Sequence, residues 1–383
     1  MRFLSPKLAK AALLPFLAAA LLLYPGCSND GSGGGGETSS GGGGRRQFLS
    51  MGTAPVGGAF AVVGQAVAEV LNARKGDANW KMQAKGTKGS QENIRRLAKG
   101  DLQLALSNSA ITYFAVRGES GWEQKYDMRA IATLAPNVAM FITTADSGIK
   151  SIADLKGKKV VVGPAGAGFE MFVQPLLAAH GVTYDDFSPL NATQSGAVDM
   201  LGDGSADAAF LGGAVPTGSI SQACSTHDIY FIPFGDAERT RLVEDYPFFQ
   251  PFTVTQDKYP DLTGDYAGLN VGSMQLITSA DQDEQLIYEI TKLIWENRTD
   301  IAAQHPAGKA INEKNAARYT GTDFHPGAVK FYKEAGIWPE TESAAEPAAD
   351  AEPAADAEPA ADAEPAADAE PATEAAAEPA AQE

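Results

Sequence analysis

The chain has 383 residues and carries 30 Lys+Arg against 48 Asp+Glu, a formal net charge of −18. An acid excess of that size excludes sequence-independent nucleic-acid binding, which needs a basic surface, and electrostatic attachment to an anionic membrane. With 44% hydrophobic residues and only two cysteines there is apolar content for a packed core, but no disulfide scaffold and no Cys-rich zinc module.

At the N-terminus, Arg2, Lys7 and Lys10 precede an apolar run from Ala11 to Tyr24, followed by Pro25-Gly26-Cys27. A basic segment, a short apolar segment and a small residue before the cut describe a secretory signal over 1–26. The run is shorter than the ~20 residues a membrane span needs. Cys27 directly after Gly26 resembles a bacterial lipobox, whose cysteine is lipidated and becomes the new N-terminus. Tyr24 departs from the Leu usual there, although Leu23 is adjacent, and an ordinary signal with a chance cysteine is the alternative. The segment 27–44 continues from Cys27 with nine glycines and reads as a flexible linker. With Cys27 lipidated, Cys224 is left as a lone thiol and reads as a small structural residue.

The stretch 45–339 holds 27 basic and 32 acidic residues, so its net charge is only −5. Strand and helix patterns alternate along it. Gln47 to Met51 reads as a strand, and Gly52-Thr53-Ala54-Pro55-Val56-Gly57-Gly58 as a loop. The helix predicted over Ala59 to Ala73 has Phe60, Val63, Ala66, Val67, Val70 and Leu71 near a 3.6 period. A strand over Trp80 to Ala84, a Gly86-to-Gly89 turn, a helix over Ser90 to Ala98 and a strand over Leu102 to Leu106 follow, ending at Ser107-Asn108-Ser109. This βαβαβ order implies a parallel sheet covered by helices.

A second unit is expected to start near Ile131, with strands over Val138 to Thr143 and Lys159 to Val162. Gly163-Pro164-Ala165-Gly166-Ala167-Gly168 leads into a helix over Phe169 to Ala179, which His180-Gly181 stops. Asp207 to Leu211 is a strand running into Gly212-Gly213, and Leu269 to Thr278 one strand returning to the first unit. Asp281 and Glu284 have capping-box spacing for a helix from Gln285 to Asn297. Beyond Pro339, the region 340–383 repeats Glu-Pro-Ala-Ala-Asp-Ala with 14 acids and no base, so it is expected to remain a disordered, solvated tail.

In open α/β sheets ligands bind at the carboxyl ends of strands, beside helix N-termini. Four segments have that character: Gly52 to Gly58, Ser107 to Ser109, Gly163 to Gly168, and Gly212 to Gly213. Their glycines let backbone N–H groups approach a carboxylate or phosphate. Enzyme signatures are missing: the Gly163 loop lacks dinucleotide-fingerprint spacing, and there is no Walker loop, nucleophile elbow or His-Glu-x-x-His. The histidines His180, His227, His305 and His325 read as structural, so no metal, no cofactor and no catalytic residue is expected.

Several segments taken in order are similar to TAXI-type solute receptors of TRAP transporters. They are Gly89-Ser90-Gln91-Glu92-Asn93, Ser147 to Lys158, Gly163-Pro164-Ala165-Gly166, Glu244 to Phe249, Leu286 to Lys292 and His325-Pro326-Gly327-Ala328. The resemblance covers nearly all of Gln47 to Pro339. It implies a two-lobed periplasmic-binding-protein-like α/β fold of type II with a ligand between the lobes. The lobes would be 45–135 with the return at 269–339, and 136–268. It further implies a small carboxylate or amino-acid-like solute, membrane subunits driven by an ion gradient, and an extracytoplasmic position held by lipid alone. Residues mapped to the ligand are Thr53, Val56, Gly57 and Gly58, Ser107 and Asn108, Gly166, Ala167, Gly168 and Phe169, and Gly212 and Gly213. Ala54-Pro55 and Ala167 with Phe169 depart from the family's glycines and hydroxyls, which makes the expected pocket less polar. A ligand-sensing module for a signalling partner would use the same fold, so the sequence leaves that alternative open.

Overall fold

The computed structural model describes residues 47–55 and 59–339. All of these fall within one compact unit, Arg45–Glu383. The signal, Cys27, the linker, the tail, and Val56, Gly57 and Gly58 lie outside the described residues.

The first sheet begins with β1 (Gln47–Gly52), α1 (Ala59–Arg74), β2 (Trp80–Lys85), α2 (Ser90–Ala98) and β3 (Leu104–Asn108). Next come α3 (Ser109–Arg117) and β4 (Met128–Thr133). β1 pairs in parallel with β2 and β3, so the βαβαβ reading holds. The 3.6 period of α1 buries Val63, Val67, Val70 and Leu71 on one face of this sheet. On the other face Ile94 and Leu97 of α2 join Ala105 of β3.

The second sheet is built from β5 (Val138–Thr144), β6 (Lys159–Val161), α4 (Glu170–Ala179), β7 (Ser188–Leu190), α5 (Gln194–Gly202) and β8 (Ala208–Gly213). It continues with α6 (Gly218–Thr226), β9 (Ile229–Ile232), α7 (Asp236–Asp245), β10 (Phe249–Val254) and β11 (Tyr266–Val271). Its strand order is β10-β11-β5-β8-β6-β7, with β9 also pairing to β5. The chain then returns as β12 (Met274–Ser279), α8 (Glu284–Glu296), α9 (Arg298–Gln304) and α10 (Pro326–Glu334). β12 inserts between β3 and β4, antiparallel to both, and completes the order β2-β1-β3-β12-β4. This is the two-lobed α/β architecture expected from the resemblance.

Three local expectations are corrected. Ile131 belongs to β4 of the first sheet, and the second sheet starts only at Val138. The strand expected over Leu269–Thr278 is two, β11 and β12, one in each lobe; Gly272 breaks it with φ +111°, a conformation closed to most side chains. The cap of α8 is Asp283, whose Oδ1 accepts from Leu286 N at 2.7 Å, while Asp281 accepts from the Ser279 hydroxyl.

Two crossings join the lobes, at residues 134–137 and 272–273, and they are bonded to each other: Leu134 N to Met274 O at 2.7 Å, Val271 N to Asn137 O at 2.9 Å. Beyond them the lobes meet through aromatic rings. Tyr113 and Phe114 of α3 pack on Phe248 at centroid distances of 5.1 and 5.6 Å, in edge-on geometry. The core of the second lobe therefore runs on into α2 and α3 as one apolar cluster, and α1, α8 and α10 share another.

His305 and His325 each precede a proline and cap the turn that follows. Nδ1 accepts from Ala307 N at 3.1 Å in one and from Gly327 N at 3.2 Å in the other. Burial holds both imidazoles below the usual 6.5. For His325, the Gln282 backbone and Glu284 oppose that shift. A lowered folded-state pKa means the folded protein favours the neutral, accepting ring. This stability is fully present above about pH 6.5 and is lost as pH falls below it. The melting temperature is thus expected to drop between pH 7.5 and 5.5. His325→Asn, which keeps a capping acceptor without a titrating ring, should flatten that profile; an unchanged slope would refute the assignment.

Candidate functional site

The expected site residues that are described lie at the carboxyl ends of β1, β3 and β8 and in the loop after β6. The loop after β6 touches the first lobe directly. A Cβ built on Gly89, which precedes α2, would lie 3.8 Å from Ala167, and one on Gly168 would lie 3.0 Å from Ile111 of α3. Gly166 is exposed, whereas Ala167 and Gly168 are buried in this contact. The loop leads into α4, whose first turn is closed by Met171 N donating to Gly168 O at 3.1 Å and by Phe172 N and Val173 N donating to Phe169 O at 3.1 and 3.0 Å, with no side-chain cap. The Phe169 ring packs on Phe172 and Phe210 at 5.2 and 6.3 Å, so it belongs to the second lobe's core.

Thr53 is buried; its hydroxyl donates to Lys85 O at 3.0 Å and so continues the β1–β2 pairing. Its carbonyl accepts from Asn93 Nδ2 at 2.7 Å and from the Thr87 hydroxyl at 3.1 Å. Asn93 Nδ2 also donates to Leu106 O at 2.8 Å, so one side chain ties the ends of β1 and β3 together. In the second lobe Gln194 plays the matching part, donating to Gly212 O at 2.7 Å and accepting from the Ser219 hydroxyl at 2.8 Å. Asn191 donates to Gly163 O at 3.0 Å. Gly213 pairs with Val138 at the start of β5, which sets the end of β8 beside a crossing.

Ser107 and Asn108 lie inside the fold. Asn108 caps α3, accepting from Ala110 N at 2.8 Å, and donates through Nδ2 to Gly272 O at 2.9 Å. The Ser107 hydroxyl accepts from Thr112 at 2.8 Å. Across the sheet Gln275 pairs with Ser107 on one side and Thr133 on the other. Gln275 Nε2 donates to the Thr320 hydroxyl at 2.7 Å. Ser107, Thr112, Thr133, Gln275 and Thr320 are all fully buried, which makes a polar layer under the crossings. A buried chain of bonds continues from it: Asn270 Oδ1 accepts from Asn137 N at 3.1 Å, and Asn270 Nδ2 donates to the Ser273 hydroxyl at 2.8 Å.

Arg318 reaches the same hydroxyl, donating from Nη2 at 2.7 Å, while its Nε donates to Asn315 Oδ1 at 2.9 Å. Its Nη1 is buried without a partner, and burial pushes the guanidinium down to about 10. Sequence reasoning passed over Arg318, Gln275, Thr320 and Gln194. They stand in no recognisable spacing, and only the β12 insertion brings the first three to the crossings.

A groove of about 470 Å³ borders Thr53, Ala54 and Gly86, but its remaining lining, including Gln65 and Glu69, belongs to the first lobe alone. It is therefore separate from the contact between lobes, and Glu69 opposes an anion there. Cys224 is a free, half-buried thiol, pushed up to about 12 by burial and by Asp261, and so unreactive at neutral pH. Among the described residues no three His, Cys, Asp or Glu are grouped to hold a metal ion, and no helix is long and apolar enough to cross a membrane.

Three solved structures are distant likenesses. The alkanesulfonate-binding protein SsuA of Xanthomonas axonopodis pv. citri, bound to MOPS, is 14% identical, with 76% of this chain and 94% of that one covered at TM-score 0.42. A binding protein component of an ABC phosphonate transporter from Pseudomonas aeruginosa is 11% identical, with 68% and 79% covered at TM-score 0.45. PhnD1 of Prochlorococcus marinus, in complex with methylphosphonate, is 10% identical, with 76% and 99% covered at TM-score 0.48. A family model described as NMT1-like matches residues 51–336. That match takes in about three quarters of the sequence, and the chain belongs to the NMT1-like family.

Proposed function

We propose that this protein is an extracytoplasmic solute receptor, not an enzyme, which closes its two lobes on a small anionic solute and delivers it to membrane subunits of a TRAP-type transporter. The carrying observation is that the loop after β6, which leads into α4, meets the first lobe, Ala167 beside Gly89 at the start of α2 and Gly168 against Ile111 of α3. Such loop ends present backbone N–H groups and the positive end of a helix dipole, which suit a carboxylate. The solute would meet Thr53, Val56, Gly57 and Gly58 from the first lobe and Gly166, Ala167, Gly168, Gly212 and Gly213 from the second, with Ser107 and Asn108 holding the hinge side. A lipid on Cys27 would keep the receptor at the membrane. Closure then follows from higher affinity for the closed arrangement.

Thermal-shift screening of the purified protein tests this. The panel holds small carboxylates and amino acids, together with organic phosphonates and sulfonates, which carry the same charge in another geometry. At least one carboxylate or amino acid is expected to raise the melting temperature in a saturable way, by about 2.7 kcal/mol of added stability at one hundred times its Kd. A folded protein that responds to no member of the panel overturns the reading.

A further inference from the structure

We propose that the Nη1 edge of Arg318 is an anion subsite beside the hinge. It would take one anionic oxygen or a halide, supplied by the captured solute or by an inorganic ion resident there. The solute alternative rests on the receptor reading above; the inorganic alternative does not.

A buried guanidinium is costly unless its charge is met. Arg318 has no carboxylate partner among the described residues; its bonds go to the neutral Asn315 and Ser273. Those two bonds, together with the Thr133 hydroxyl donating to the Arg318 carbonyl at 2.8 Å, fix the side chain before any ligand arrives. The one edge left over, Nη1, is buried and unpaired. A charge held rigid with the N–H groups of a whole nitrogen left unpaired suits an anion, since an N–H aimed at an anionic oxygen is stronger than one aimed at a neutral acceptor.

Further neutral polar groups lie on the same two segments of the chain. Arg318 meets Ser273 and Thr320 meets Gln275, so residues two apart on the return segment face residues two apart at the start of β12. On the return segment Thr322 is also buried, with its hydroxyl unpartnered. Gln275 Oε1 is unpartnered as well, and a half-turn of that amide keeps the Thr320 contact, the hydroxyl then donating, and frees an N–H instead. The polar layer can therefore offer donors without moving the backbone.

The test uses the full chain and its Arg318→Gln and Arg318→Lys variants. Each is titrated with sodium bromide against gluconate at constant ionic strength, and with any carboxylate found in the screen. Saturable binding by wild type, weakened at least about tenfold in Arg318→Gln and less in Arg318→Lys, is expected. A carboxylate that behaves so identifies the solute as the source, and bromide that behaves so identifies a resident ion. Wild-type binding of a carboxylate that Arg318→Gln retains in full, without any bromide effect, overturns the subsite and leaves the receptor reading standing. No response to either anion overturns both. Should the Gln variant not fold, wild-type crystals grown with bromide, or with the carboxylate, decide the matter: an anomalous peak or ligand density within hydrogen-bond reach of Nη1 supports the subsite, and its absence from both overturns it.

Discussion

Phe248→Ala is expected to lower stability by about 3–5 kcal/mol, because it removes a fully buried ring that its surroundings cannot replace. The ring lies 4.7 Å from Phe249 and 5.1 Å from both Tyr113 and Tyr246, so it plugs the contact between α3 and the second lobe. Denaturant unfolding should show the loss as a lower midpoint. Tyr319→Ala, at an exposed ring (52%), provides the control and should stay within about 0.5 kcal/mol of wild type. A loss below about 1 kcal/mol for Phe248→Ala would mean that the lobes are not joined by this aromatic contact in solution.

Gly272→Ala attacks the hinge itself. At φ +111° a Cβ would lie 2.2 Å from Asn108 Oδ1 and 2.8 Å from Ala110 N, so it both strains the backbone and breaks into the cap of α3. Strain of about 1–3 kcal/mol and a lost cap of about 1 kcal/mol together predict a loss of about 3 kcal/mol. Gly76→Ala separates the two causes, since Gly76 has φ +57° with nothing within 4 Å of the added carbon; only the strain, about 1 kcal/mol, should appear there. Pairing Gly272→Ala with Asn108→Ala should cost less than the sum of the two, because the shorter side chain vacates the colliding position. Strict additivity in thermal melts would show that the clash is not what destabilises the hinge.

The sequence announced elements with strong local signals. Helix α1 was readable from its apolar period, and α2 and the Gly163 loop from flanking turns. The glycine-rich loops were located at strand ends because glycines mark those turns whatever the partner strand is. What stayed hidden depends on contacts far apart in the chain. Helix α3 has no polar face to give it away, since Ala110, Ile111, Phe114 and Ala115 are buried against two lobes at once. Ser107 and Asn108 were singled out as ligand contacts by their position after a strand. Their hydroxyl and amide bond to Thr112 and to Gly272 within the fold, contacts that no local pattern announces. Arg318 sits in a stretch without periodicity, and its meeting with Ser273 spans 45 positions.

The insertion of β12 between β3 and β4 also bears on how the molecule is made. Until Ser279 has been synthesised, β3 and β4 each present a bare edge, and the first sheet stays split into two pieces. The second sheet has no such delay, as its strands run uninterrupted from Val138 to Val271. The topology thus favours an assembly order in which the lobe begun first is finished last: the second lobe can close first, and by drawing residues 134–137 and 272–273 together it delivers β12 to the gap awaiting it.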